Sequence, residues 1–323
     1  QLARRVRRGD DLGPLTSIAV SSLIDQYDDH TTPMTSFRDT RSHGHRSSTS
    51  LSAGSLSAGI SSMKYDPRVT IRMPDSQLVE LGDDWGIGIA AVLELDNRFQ
   101  RPVTIAYTGN SSDSSAIWSS TTLDPYGFDA LYQQDFHDVF LGYRVDSNDP
   151  GQPLHPLSDQ ILLGLRYVYF ADQIDERVLT LPSGFAGLQQ YDSEFTATNN
   201  ILAPSIQFQR RYQWGRWTAR GGVGGFAGLA GIDQSTNSVA TDTSGQRHQG
   251  SQRESQSVSI STGQTAELAI GAGLGSRWEI QGGVRASNVT GVATSIRDYA
   301  GDRVSDPTDI FGWGGFLGLE SHF

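Results

Sequence analysis

Hydrophobic and polar positions alternate with a period of two over most of the chain beyond residue 66, most plainly at its end. From Phe311 onward, Phe311, Trp313, Leu317, Leu319 and Phe323 fall on one side of an extended chain, and Gly312, Gly314, Gly318, Glu320 and His322 on the other. Successive side chains of a β-strand point to opposite faces, so this run predicts a strand with one greasy face and one small or polar face. The pattern recurs upstream. Trp85, Ile87, Ile89, Ala91, Leu93 and Leu95 oppose Gly86, Gly88, Ala90, Val92 and Glu94. Asn97 to Arg101 then turn the chain into Val103, Ile105 and Tyr107, which is a hairpin signal. Val139, Leu141, Tyr143 and Val145 face away from Asp138, Gly142 and Arg144; Ile161, Leu163, Leu165, Tyr167 and Tyr169 oppose Gly164 and Arg166, although Leu162, Val168 and Phe170 blur the polar side.

The later segments keep one parity for longer. Leu202, Ile206, Phe208 and Tyr212 alternate with Ser205, Gln207, Gln209 and Arg211, and a tight link at Gln213-Trp214-Gly215 leads into Trp217, Ala219, Val223, Ala227 and Leu229 opposite Thr218, Arg220, Gly222 and Gly224. Val258, Ile260, Ala266, Leu268, Ile270, Ala272 and Leu274 oppose Ser259, Ser261, Thr265, Glu267 and Gly273, and Gly275-Ser276 turns into Trp278, Ile280, Val284 and Ala286 opposite Arg277, Glu279, Gln281, Gly283 and Arg285. A first short strand is read at Val69, Ile71 and Met73. Links near 97–101, 213–215 and 275–276 are short; 110–132, 173–197, 233–257 and 291–309 read as long loops, and the Pro-containing 147–159 breaks the alternation. Short turns on one side and long loops on the other are the habit of membrane barrels, and the parity gives about ten strands.

A soluble β-sandwich that binds glycans also alternates apolar with polar, but its strands run to only about 5–6 residues. The expected fold is therefore all-β: a transmembrane antiparallel up-and-down β-barrel of about ten strands over residues 66–323, with residues 1–65 as an ordered N-terminal extension. A spanning strand needs only about 9–11 residues, half of them polar, so the mean hydropathy of -0.37 excludes spanning helices without excluding a membrane.

Composition narrows the function. With Cys 0, disulfides, thiol catalysis and Cys-ligated zinc drop out. The start at Gln1, with no charged and apolar leader, fits removal of a signal peptide. The net charge of -11 argues against a nucleic-acid partner, although Arg4, Arg5, Arg7 and Arg8 form a basic knot. Residues 1–65 are rich in Ser, Arg, Asp and His and carry the near repeat Leu51-Ser52-Ala53-Gly54 / Leu56-Ser57-Ala58-Gly59; one amphipathic helix is predicted over Leu15 to Tyr27 behind Pro14. A plug, a periplasmic extension or a contact with identical subunits or envelope proteins would each account for this region.

The runs Gly164-Leu165-Arg166-Tyr167, Tyr191-Asp192, Thr198-Asn199-Asn200-Ile201-Leu202-Ala203-Pro204 and Gly215-Arg216-Trp217-Thr218 with Gly221 to Gly228 resemble the β-barrel porin-7 family of planctomycete-type outer-membrane proteins. The resemblance covers roughly residues 133 to 295 and implies a barrel in the bacterial outer membrane, without a chemical signature. It departs at residues 1–65, where the family opens on an aromatic-rich strand. Gly318 and Phe323 fit a C-terminal signal for the barrel assembly machinery, with Ser321 standing where an apolar residue is expected.

No catalytic constellation stands out, so a non-enzymatic protein without cofactor is expected. The outer loops hold only His248; His43-Gly44-His45 is a solvated polar pair rather than a metal site, and Asp298, Asp302, Asp306 and Asp309 lack the spacing of a calcium loop. The informative polar residues are those assigned to the lumen: Glu94, Asp138, Arg144, Arg166, Arg220, Glu267, Glu279 and Arg285. At about ten strands the interior is scarcely wider than one that side chains fill, so these charges either pair into a structural plug or ring a narrow pore. Outer-membrane lipid is the expected partner of the greasy face.

Overall fold

The computed structural model describes residues 54–66, 69–72, 78–81, 85–95, 102–119, 126–145, 157–180, 188–275, 277–294 and 308–322. The predicted helix at Leu15 to Tyr27, the arginine knot, His43 and His45, Asp298, Asp302, Asp306 and Phe323 lie outside them. The described strands are β1 (Gly54–Asp66), β2 (Val69–Arg72), β3 (Leu78–Leu81), β4 (Gly86–Leu95), β5 (Val103–Ser119), β6 (Tyr126–Arg144), β7 (Leu157–Thr180), β8 (Leu188–Trp214), β9 (Trp217–Asp242), β10 (Arg247–Gly273), β11 (Trp278–Val292) and β12 (Thr308–His322).

All but β2 and β3 form one closed sheet in the order β1-β12-β11-β10-β9-β8-β7-β6-β5-β4, every neighbour antiparallel. Closure joins the two ends of the described wall, with Ser55 opposite His322 and Asp66 opposite Phe311. There is no second stacked sheet among the described residues, which removes the β-sandwich alternative. The end holding Ser55 and His322 carries the tight Gly215-Arg216 connection and is termed the turn end; the opposite one is the hairpin end.

Parity sorts the side chains by face. Outward stand Ile60, Ile87, Leu141, Leu165, Leu202, Val223, Leu268, Val284 and Leu317, all exposed. Tyr143, Tyr212, Trp214, Trp217 and Trp278 ring this belt at the turn end, and Trp85 meets Trp313 edge-on at 4.8 Å toward the hairpin end. An aliphatic belt bounded by aromatics, with the polar side chains of the same strands turned inward, is what a bilayer covers; left in water it would be an apolar patch far larger than a soluble monomer tolerates.

The wall starts earlier than the sequence pattern indicated. Gly54–Asp66, assigned above to the N-terminal extension, is a barrel strand, so the boundary before residue 66 moves. Its signal was hidden by serine: Ser55, Ser57 and Ser61 point in while Leu56, Ala58 and Ile60 point out, and beyond Ser61 the polarity inverts, with Met63 and Tyr65 buried inside. The strand read at Val69, Ile71 and Met73 is instead β2, paired only with β3 outside the barrel among the described residues.

Most of the long loops are also strand. β5 and β6 cover 110–119 and 126–132, β7 and β8 cover 173–180 and 188–197, β9 and β10 cover 233–242 and 247–257, and β8 and β10 each reach 27 residues. At about 3.3 Å per residue these extend roughly 90 Å along the strand, far beyond the span of a bilayer. The outward face there is polar (Asp192, Glu194, Thr196 on β8; Asp233, Ser235, Asn237 on β9), so the apolar/polar contrast vanishes while the strand continues. β11 stops at Val292 and its ladder on β10 begins at Thr262, so Arg247–Ser261 pairs with β9 alone among the described residues; Ser112–Ser119 of β5 likewise pairs only with β6. Above the belt the barrel thus becomes a tall, open sheet, β5 to β10.

Candidate functional site: the closed lumen

Inside the belt the lumen holds a layer of paired charges around a cavity of about 80 Å³ lined by Glu94, Asp138, Arg166, Arg220, Glu267 and Arg285, with Thr104, Thr108, Gln207, Gln209 and Thr265 among its other walls. Glu267 on β10 is the hub. Its Oε1 accepts from Arg220 Nη2 at 2.8 Å, and its Oε2 from Arg285 Nη2 at 2.5 Å and Nε at 3.0 Å. Arg285 also donates to the Thr108 hydroxyl across the lumen. Arg166 Nε donates to Asp138 Oδ1 at 2.8 Å and its Nη1 reaches Thr265 Oγ1 of β10 at 3.5 Å, a second contact from wall to wall. Carboxylate and guanidinium desolvated together must pair this closely, because an unpaired charge there would cost several kcal/mol.

A second group sits toward the turn end. Arg211 reaches Glu279 at 3.2 Å and Glu320 at 3.8 Å, Thr218 donates to Glu279, and Gln281 donates to the Ser57 hydroxyl. Glu94 Oε2 accepts from Ser55 at 3.5 Å. Of the eight residues assigned to the lumen, six therefore line one cavity, Glu279 belongs to the neighbouring cluster, and Arg144 lies at the turn end of β6, outside the cavity lining. Arg211 and Glu320 were legible as inward by parity but were not singled out, and Thr108 carries no signal that marks it as a cross-lumen acceptor.

Toward the hairpin end the charged layer gives way to an apolar one: Met63, Tyr65, Phe136, Val168, Phe170, Ile201 and Phe226, all buried, from five strands of the wall. Arg166 lies over the Phe226 ring at 5.4 Å and Tyr65 over Phe136 at 4.9 Å, so the two layers interlock. Leu162, Val168 and Phe170, which blurred the polar face of β7, are buried inside the barrel, Val168 and Phe170 as part of this packing and Leu162 on the turn-end side of Arg166. The rings lie over glycines: a Cβ on Gly263 would run into the Phe226 ring, and one on Gly312 into the Tyr65 ring.

The chain leaving β11 completes the seal. Gly291 takes φ 73, a conformation glycine adopts without strain, and the following Val292, Ala293 and Thr294 are buried in the mouth. Asn199 of β8 holds this segment, and Gln234 Nε2 donates to the Thr294 carbonyl at 3.5 Å.

At the β9–β10 tip, Asp242 Oδ2 meets His248 Nε2 at 3.0 Å while its Oδ1 accepts from Ser244 and Gln246. These hydrogen bonds, the one to His248 first, hold the Asp242 carboxyl well below the usual carboxylate range. Among the described residues no three His, Asp or Glu side chains converge as metal ligands.

This is a transmembrane β-barrel with a filled interior. No protein-family model matches the sequence, and no curated protein does. Solved structures similar to it include the outer membrane protease OmpT from Escherichia coli (11% identity, 84% of this chain and 96% of that chain, TM-score 0.46). A major outer membrane protein from Thermus thermophilus is 13% identical over 83% of this chain and 99% of that one, with TM-score 0.30. Ail, the attachment invasion locus protein of Yersinia pestis, is 10% identical over 84% and 98%, with TM-score 0.25. Likeness at these levels carries no chemistry from one chain to another.

Proposed function

We propose that the protein is a non-enzymatic scaffold of the bacterial outer membrane: a barrel shut in its interior that anchors the tall β5–β10 sheet on the outer side. The observation that carries this is the double occlusion of the lumen, by the Glu267 ion-pair layer and by the apolar layer capped with Val292 and Ala293. The sheet stands at the hairpin end, the outer side in barrels of this kind. The resemblance to the porin-7 family supports the location. β12 with Gly318, followed in the sequence by Phe323, is the segment offered to the barrel assembly machinery, and the residues before Gly54 are the candidate contact with identical subunits or other envelope proteins.

Planar-bilayer recording tests the reading. The purified protein is expected to be electrically silent at all voltages, and unitary conductance steps from the wild type would overturn it. A narrow-channel reading keeps one observation in its favour, the charged cavity of both signs beneath the seal. It requires Ala293 to leave Asn199, so conductance appearing in Asn199→Ala but not in the wild type would favour that version.

A further inference from the structure

One strand of the tall sheet is left half-paired by the way its neighbour departs. Over Arg247–Ser261, β10 pairs with β9 alone among the described residues. Past the rung joining Thr262 to Thr290, β11 bends at Gly291 (φ 73), and Asn199 holds Ala293 in the mouth, so the continuation of β11 is drawn off the edge it would have covered. Ser261 Oγ donates to the Thr290 carbonyl at 2.6 Å and closes the ladder just below. Above that point every second residue of β10 turns its N–H and its C=O away from β9. Gln252, Glu254, Gln256, Ser257, Val258 and Ile260 are all exposed. The edge also stands clear of hydrocarbon. Ala272 is opposite Trp217 of the turn-end girdle, and in strands tilted by about 35–45° an apolar band about 25 Å tall takes up roughly ten residues, which ends it near Thr262.

Edges are commonly blunted by a bulge, a charge or a proline. Here the bulge lies high, between Gln249 and Gln252 and close to Arg247 and His248. From Gln252 to Ser261 the ladder on β9 runs without a shift and without proline, and at its foot Val258 and Ile260 point outward, each 74% exposed. A row of alternating donors and acceptors at strand spacing is matched by another extended chain. A second copy in the same membrane cannot lay one there. Its half-paired β5 runs antiparallel to β10 but continues down into its own wall, where β11 already holds the neighbouring place; its β10 descends as this one does and, both being tilted, would cross it at roughly 70–90°. We infer that Gln252–Ser261 is a docking edge for an extended segment of a different, water-soluble polypeptide, added to the tall sheet as a further strand with apolar side chains opposite Val258 and Ile260. The inference rests on the scaffold reading for the side of the membrane on which this partner is met.

Fluorescence anisotropy of the intact protein in detergent tests it, with the labelled peptide Thr-Ile-Thr-Val-Thr-Thr-Thr-Lys-Thr as probe. In antiparallel register this peptide sets Ile and Val opposite Ile260 and Val258 and Lys opposite Glu254. Saturable binding of one peptide per chain is expected. Val258→Asn combined with Ile260→Asn should weaken it about fivefold, the worth of two apolar cross-strand pairs. Two further probes, N-methylated on one or the other set of alternate residues, leave the protein untouched: one should bind as the parent does and the other should lose binding more than tenfold. The chain has no cysteine, so Ser257→Cys should trap a probe carrying Cys at its centre, while Thr196→Cys in the middle of the sheet should not. No saturable binding, equal binding of the two methylated probes, or equal trapping at both thiols overturns the edge. A wild-type dimer that the double substitution dissolves overturns it too, by assigning the edge to a second copy. Planar-bilayer recording of the same preparations keeps the readings apart: a conducting protein that binds the probe overturns the closed scaffold alone, and a silent one that binds none overturns the docking edge alone.

Discussion

Asn199 and Ala293 hold each other by two hydrogen bonds: the Asn199 Oδ1 accepts from the Ala293 N–H at 2.8 Å, and its Nδ2 donates to the Ala293 carbonyl at 2.7 Å. A side-chain amide here does what a neighbouring strand would do for an isolated stretch of backbone, deep in the mouth of the barrel. Asn199→Leu leaves a buried N–H and a buried C=O without partners, and about 1–3 kcal/mol of stability should go with them. Urea titration of the detergent-solubilised protein, followed by gel migration, reads that loss; a midpoint equal to the wild type would show that the segment is not held there.

Glu267 serves two guanidiniums at once, so removing its charge strands both. Glu267→Gln is expected to destabilise by about 3–5 kcal/mol, the scale for breaking a buried pair from one side. Glu267→Met combined with Arg220→Met and Arg285→Met should recover much of that loss, because the whole group then becomes apolar. Equilibrium unfolding in detergent compares the single and triple variants.

The belt can be tested by depth. Leu268 points outward at 65% exposure in the middle of the β10 belt, and Leu268→Arg should cost about 2–4 kcal/mol in a bilayer. Gln256→Arg, at an outward position of the same strand in the tall sheet, should cost close to nothing. Equal effects of the two in lipid vesicles would contradict the assignment of the belt to hydrocarbon.

The β9–β10 tip should respond to acid. Asp242 has its carboxyl depressed by His248, Ser244 and Gln246, so the tip is supported above the ordinary Asp value of about 3.9 and loses that support as pH falls from there toward the depressed one. Amide hydrogen exchange at Ser244 and Gln246 should accelerate over that acid window, and in Asp242→Asn the acceleration should be absent once intrinsic exchange is corrected for.

What could be read from sequence follows the solvent on each side of the strand. Within the belt, lipid outside and charges inside give opposite chemistry to alternate residues, as at Trp217, Ala219 and Val223 against Thr218, Arg220 and Gly222. Above it water bathes the outer face, so Gln190 to Thr198 and Asp233 to Thr241 look like loop although they are strand. β1 was missed for a related reason: serines line its inner face and Lys64 faces out opposite Trp313. The Asn199 clasp joins positions far apart in the chain and shows in no local pattern.

The pairing of Gly54–Asp66 with Thr308–His322 has a consequence for biogenesis. The hoop is fastened by its first and last staves, so translation must pass Thr308–His322 before any complete ring can exist. A chain clipped after Val292 would keep nearly all of its tall sheet, but Ser57 and Ile60 would be latched to β4 alone, with no strand on their other side. Until that moment the nascent wall carries two raw borders, which is why its guidance to the membrane must be in place before the circle is finished.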